Sequence, residues 1–165
     1  MSRTPIHFEQ VQPLPLTHTS EIPEEFLDAM GHMNVMWYTH LFGFGMGGLL
    51  QQLEVPWSKM AEDDGGTFAL ETHIRYLSEV RVGQHIETHA RLLGRTEKRF
   101  HLLHFMINLD KQDVSATFET ITAYVDLRVR KMAPMPLKLA QGLDQLIEQH
   151  ARLDWDAPVC GSMAP

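Results

Sequence analysis

The longest apolar stretch runs from Val35 to Leu53, and it is neither one-sided nor alternating. Val35, Met36, Trp37, Tyr38, Leu41, Phe42, Phe44, Met46, Leu49, Leu50 and Leu53 cover most of a helical circumference. A helix apolar nearly all round needs protein on every side. Asn34, just before it, suits an N-cap whose side chain accepts from the first exposed N–H groups. Gly43, Gly45, Gly47 and Gly48 each lower the intrinsic stability of this helix by roughly 1 kcal/mol relative to alanine. Close approach of a sheet to the helix backbone would justify that cost. The stretch is too short and too interrupted, with His40 inside it, to span a membrane.

Downstream the period changes to two. From Phe68 to Leu77, the positions Phe68, Leu70, Thr72, Ile74 and Tyr76 share one face, and Glu71, His73 and Arg75 the other. Further strands are expected over Gln84 to Leu93, Glu97 to Leu109 and Val114 to Val129, with a hairpin turn at Asp110 to Asp113. Leu16 to Ile22 alternates weakly and reads as a first strand. Pro23 to Met33 reads as a loop, and Pro56 to Gly66 as a polar connection. After Pro134 and Pro136, Leu139, Leu143, Leu146, Ile147 and His150 recur at helical spacing. Residues 1–14 read as a loose N-terminal arm, 15–153 as one domain and 154–165 as an unstructured tail. The order gives an α+β domain with a helix on one face of an antiparallel sheet. A sheet wrapped around a long buried helix, the hotdog fold, is one of several candidates on pattern alone.

Composition narrows the function. The 165 residues carry a formal net charge of -7, which argues against nucleic acid or an anionic membrane as the main partner. A local basic patch could still hold a small anion. The single cysteine, Cys160, permits no internal disulfide, and the N-terminus lacks an apolar export stretch, so the cytoplasm is expected. Ten histidines invite a metal reading. His101 and His104 are three apart on a strand and point to opposite faces. His85 and His89 share a face but stand roughly 13 Å apart at strand rise. No spacing matches a zinc site, so no metal or other cofactor is expected. There is no Gly-x-Ser-x-Gly elbow and no phosphate-cradling loop.

Asp28-x-x-Gly31-His32-Met33-Asn34 followed by Tyr38 resembles a stretch of the 4-hydroxybenzoyl-CoA thioesterase-like hotdog proteins. Leu70-Glu71-x-His73-Ile74-x-Tyr76-Leu77-x-Glu79-Val80-x-x-Gly83 is similar to the betainyl-CoA thioesterase branch. So are Leu92-Leu93-Gly94-x-x-x-Lys98-Arg99, Ala116-Thr117-x-Glu119 and Val125-Asp126-Leu127. The resemblance runs from about Leu16 to Pro136. Val35 departs from it, because the common motif has a second asparagine there. No cage for a quaternary ammonium is legible in the sequence.

The resemblance implies a hotdog fold, hydrolysis of an acyl-CoA thioester, and Asp28 as the catalytic carboxylate. It also implies a homodimer or homotetramer with sites at subunit boundaries. Asp28 could act as general base, worth roughly 10²- to 10⁴-fold, or as nucleophile. N–H groups around Val35 and Met36 carry the positive end of the helix dipole and could meet the oxyanion. Gly31 would let the loop pass close to substrate, and His32 and Asn34 could orient the reacting groups. Glu71 is a second carboxylate of interest, with His73 beside it as a candidate substrate contact. Trp37 and Tyr38 could line the acyl pocket. Arg95, Lys98 and Arg99, with Arg128, Arg130 and Lys131, suit CoA phosphates. The rival readings are a hotdog hydratase or dehydratase and a non-enzymatic acyl-CoA-binding module.

Overall fold

The computed structural model describes residues 5–165. Part of the expected arm, residues 1–4, lies outside them. The elements are α1 (Phe8–Val11), β1 (Leu16–Glu21), a 3-10 turn (Glu24–Phe26), α2 (Val35–Gln52), α3 (Trp57–Glu62), β2 (Gly65–Tyr76), β3 (His85–Arg95), β4 (Arg99–Asn108), β5 (Asp113–Asp126), β6 (Lys131–Met132) and α4 (Leu137–His150). The strands form one curled antiparallel sheet in the order β1-β3-β4-β5-β2, with the short β6 also on β5. Helix α2 lies along its concave face. This is the hotdog arrangement.

The caps lie where the sequence puts them. The Asn34 side chain accepts from the Met36 amide at 3.0 Å, and α4 starts after Pro136. In the β4–β5 hairpin, Asn108 Oδ1 accepts from the Asp110 and Lys111 amides. The polar connection before β2 contains a helix, α3, that the composition does not signal.

The buried side of α2 is Tyr38, Leu41, Phe42, Gly45, Leu49 and Leu50. Each of its large side chains contributes roughly 1.5–3 kcal/mol by leaving water. Two glycines explain the close docking. A Cβ on Gly48 would sit 1.7 Å from the Thr17 carbonyl oxygen, and one on Gly45 2.7 Å from Thr88 Oγ1. Thr17 and Thr88 bond to each other at 2.9 Å beneath them.

The expectation that protein surrounds α2 needs correcting. Val35, Met36 and Phe44 are half or more exposed. The sheet covers one side, and the apolar opposite side is open in the single chain.

The faces of β2 also differ from simple alternation. Its register with β5 slips between Ala69 and Glu71. Opposed residues in an antiparallel pair share a face. Ala69 and Thr72 oppose Thr122 and Thr120, which look toward Phe42. Phe68 opposes Ala123 and so falls on the outer face with Glu71 and His73, not with Ile74 and Tyr76. An extra residue at the bulge resets a period of two.

Both ends of the chain cover the outer face of the sheet. Val11 of α1 is fully buried against Leu103, Phe105 and Ile107, together with Leu14. The stretch expected to be a loose arm is therefore partly helical and packed. The last residues carry no regular element yet also dock. Arg91 lies 4.1 Å over the Trp155 ring and donates to the Trp155 carbonyl. Glu119, almost fully buried, meets His101 at 2.9 Å and accepts from the Cys160 amide at 2.6 Å.

His104 is fully buried on the concave side beside Phe42. Burial pushes its imidazole down to about 4, against a weaker contrary pull from the Gly45 backbone. Unfolded, the ring binds a proton near 6.5. The native state is therefore favoured above that value, and the advantage is lost as pH falls toward 4. Between about pH 7.5 and pH 5, denaturant unfolding should show wild type losing about 2 kcal/mol more than His104→Leu. Equal losses would mean that the ring titrates normally in the folded protein.

Candidate functional site

Asp28 stands in a five-residue loop that its own backbone closes. The Asp28 amide donates to the His32 carbonyl at 3.0 Å, and the Gly31 amide to the Asp28 carbonyl at 3.1 Å. Gly31 has φ +80, a left-handed conformation that favours glycine. The loop is pinned where the Met33 amide donates to Val80 and the Asn34 amide to Phe26. Asp28 Oδ1 accepts from the Met30 amide at 2.8 Å. His32 Nδ1 lies 3.6 Å from Asp28 Oδ2, inside ion-pair range but beyond a hydrogen bond. The carboxylate is thus oriented by its own loop and still partly open to solvent.

Asp28 opens onto a cleft of about 450 Å³. His32, Met33, Val35 and Tyr38 line it from the loop and α2, and Tyr76, Leu77, Ser78 and Glu79 from the end of β2 and the turn after it. The Val35 amide has no hydrogen-bond partner among the described residues. It is the first N–H of α2, where the positive end of the dipole is concentrated. The Met36 amide, expected to be free with it, is taken by the Asn34 cap. One unengaged donor and one oriented carboxylate therefore share a cleft. Tyr38 meets Tyr76 edge-on at 5.1 Å. Burial pushes its phenol up to about 12, although a Val80 backbone hydrogen bond opposes the shift.

Asp28, His32, Val35 and Tyr38 come together as expected, and Gly31 and Asn34 shape the approach. The other candidates do not join them within one chain. Glu71 and His73 are on the outer face of β2, opposite Thr72, Ile74 and Tyr76 and away from α2. Trp37 stacks on Phe26 at 3.8 Å and does not line the cleft. Arg95 makes a two-pronged bond to Asp144 of α4, at 2.7 and 2.5 Å, which raises its pKa and ties it to the fold. Arg128 is similarly paired with Asp126. Lys98 and Arg99 sit at the opposite end of the sheet. Arg99 opposes Ala123 and Tyr76 opposes Ala116, seven residues apart on β5, or about 23 Å.

The second carboxylate at the cleft is Glu79, which bonds Arg81 at 2.7 Å. Sequence reasoning fixed on Glu71 instead. Glu79 stood in the same motif, but nothing local indicated that the chain turns back toward Asp28 after Tyr76.

A cleft at the start of α2 in a hotdog sheet thus holds a carboxylate and a free helix amide. The chain belongs to the Thioesterase-like superfamily, whose family model matches residues 22–143. It is 34% identical over 142 residues to the L-carnitine dehydrogenase/betainyl-CoA thioesterase of Rhizobium meliloti (strain 1021). That match covers 86% of this chain but only 28% of the relative, so the chain spans little more than a quarter of that protein. It is 25% identical over 137 residues to the betainyl-CoA thioesterase of Pseudomonas aeruginosa, covering 83% of this chain and 86% of the relative. Among solved structures, a Staphylococcus aureus protein in complex with CoA is 20% identical, with TM-score 0.81 over 92% of this chain and 96% of its own. No helix among the described residues is long and apolar enough to cross a membrane.

Proposed function

We propose that this chain is an acyl-CoA thioesterase working without a metal. The observation that carries the reading is the shared cleft of Asp28 and the unengaged Val35 amide. The thioester carbonyl oxygen points at the Val35 N–H, which meets the negative charge as it develops. As general base, Asp28 takes a proton from water. The hydroxide adds to the carbonyl carbon, the C–S bond breaks, and the proton goes to the leaving thiolate. As nucleophile, Asp28 displaces the thiolate itself, and water then opens the anhydride. His32 steadies the carboxylate from 3.6 Å.

The phosphate end of CoA calls for a second subunit. β2 is a twelve-residue edge strand with Phe68, Leu70 and Tyr76 exposed, and a long bare edge of this kind favours pairing. Antiparallel pairing of two β2 edges about a two-fold axis sets the Arg99 end of one sheet beside the Asp28 end of the other. Lys98 and Arg99 of one chain then serve the cleft of its partner. The names of the relatives make betainyl-CoA one candidate substrate, beside aromatic and fatty acyl-CoAs. The single cysteine, a tail residue with no disulfide partner, suits a cytoplasmic setting.

The test is CoA release from a panel of betainyl, aromatic and fatty acyl-CoAs, followed as free thiol. Steady turnover of at least one member is expected. No turnover on any member, with CoA binding retained, would make the protein a binding module instead.

A further inference from the structure

The walls of the Asp28 cleft carry an unbalanced charge. Among the described residues, Asp28 and Glu79 supply two carboxylates, His32 is the only histidine, and no lysine or arginine lines it. Asp28 has a part in the chemistry. Glu79 has none, and a second carboxylate near a carbonyl that becomes negative opposes the reaction. A substrate that brings its own positive charge removes that conflict.

Glu79 is only partly neutralised by the protein. Nε and Nη2 of Arg81 both go to Oε1, at 2.9 and 2.7 Å. Oε2 has no hydrogen-bond partner among the described residues. Lys111 bonds the Glu79 main-chain carbonyl, not the carboxylate. Neither Arg81 nor Lys111 lines the cleft. The charge of Glu79 also reaches Tyr38 on α2: burial is the main cause that raises the Tyr38 phenol, and Tyr76, Glu79 and Asp113 each add to it.

The rings beside Glu79 suit a cation. Tyr38 and Tyr76 meet edge to face, with centroids 5.1 Å apart and planes at 79°. Tyr76 is half exposed, so its ring is not closed off. Ring faces attract cations, and a quaternary ammonium, which makes no ordinary hydrogen bond, is held mainly in this way.

We propose that Glu79 is the specificity residue of this cleft: with Tyr38 and Tyr76 it selects acyl groups that carry a fixed positive charge close to the thioester carbonyl. This selection rests on the acyl-CoA thioesterase reading of the Asp28 cleft. The charge is close to the carbonyl because Glu79, both rings, Asp28 and Val35 line one space of about 450 Å³. An acyl group ending in a carboxylate meets two like charges there and is rejected. A neutral acyl group takes water from Glu79 Oε2 and returns no partner, which is costly.

The experiment compares betainyl-CoA with tert-butylacetyl-CoA on the full chain. The two acyl groups have the same shape, with a quaternary carbon in place of the quaternary nitrogen. An ammonium beside the carbonyl also activates the thioester, so the readout is the change in the ratio of the two kcat/KM values between wild type and variants. Glu79→Gln should lower the betainyl-to-neutral ratio by about fivefold, the order of one half-exposed charge pair, mainly through a higher KM for betainyl-CoA. Tyr76→Leu should lower the ratio as well, and Tyr76→Phe, which keeps the ring, should retain it. An unchanged ratio in Glu79→Gln or in Tyr76→Leu, a fall in kcat alone, or an equal loss in Tyr76→Phe and Tyr76→Leu would overturn the proposal. If neither compound is hydrolysed, the thioesterase reading fails, and calorimetric affinities still decide the selection. Tighter binding of betainyl-CoA to wild type, with the difference lost in Glu79→Gln, supports it, and equal affinities reject it.

Discussion

Asp28→Asn is expected to lower kcat by roughly 10²- to 10⁴-fold, the range for loss of a positioned general base. The fold should survive, because the new side chain keeps an oxygen where Asp28 Oδ1 accepts from the Met30 amide. The loop is also closed by main-chain bonds that do not involve the carboxylate. Acyl-CoA binding should change little, since the Val35 amide and the walls of the cleft are untouched. Residual activity above the uncatalysed rate would reflect that amide. Steady-state kinetics with circular dichroism on the same sample is the check. Unchanged turnover would remove Asp28 from the chemistry. A single turnover of wild type in heavy-oxygen water identifies a nucleophile whose anhydride opens at the Asp28 carbonyl: the acid then leaves unlabelled with an oxygen from Asp28 and the label enters Asp28, whereas a base delivers labelled solvent oxygen to the acid and leaves Asp28 unlabelled.

Gly48→Ala should have the largest effect on stability. The added Cβ would lie 1.7 Å from a main-chain oxygen of β1, Thr17 O, and neither the helix nor the strand can yield at small cost. Overpacking of this kind costs about 3 kcal/mol at the upper end of its usual range, which lowers Tm by roughly 6–12 °C in a chain of this size. Gly43→Ala is the internal control. A Cβ there meets nothing within 4 Å, so better helix propensity alone should stabilise by up to about 1 kcal/mol. Thermal unfolding of both variants is the measurement. Equal Tm values for Gly48→Ala and wild type would show that α2 can lift off β1 freely.

The contrast between these glycines shows what the sequence could carry. Four glycines in an apolar helix announced a close approach, and Gly45 and Gly48 make it. Which two of the four do so depends on how α2 crosses β1 and β3, and that is a tertiary fact. Asn34, Gly31 and the Asp28 loop were legible because caps and left-handed turns are local chemistry. Phe68 was placed on the wrong face because the bulge between Ala69 and Glu71 resets the alternation of β2, while Glu71 and His73 keep the polar face that alternation gives them. The apolar circumference of α2 was real, but periodicity does not say whether the protein on the far side is the same chain or another. The basic residues were read as two groups suited to phosphates; the register separates Arg99 from the Tyr76 end of the sheet, where the Asp28 cleft lies, by most of the length of β5.

The cover over the outer face of the sheet has a consequence for how the chain emerges from the ribosome. Leu103, Phe105 and Ile107 are shielded on one side by residues near position 11 and on the other by residues from Leu153 to Ala157. The second half of that shield is synthesised only after every strand of the sheet. Until it appears, a nearly complete sheet presents an apolar stripe to its surroundings, the condition in which nascent domains associate wrongly. The window closes only when Trp155 settles under Arg91 and the Cys160 amide reaches Glu119.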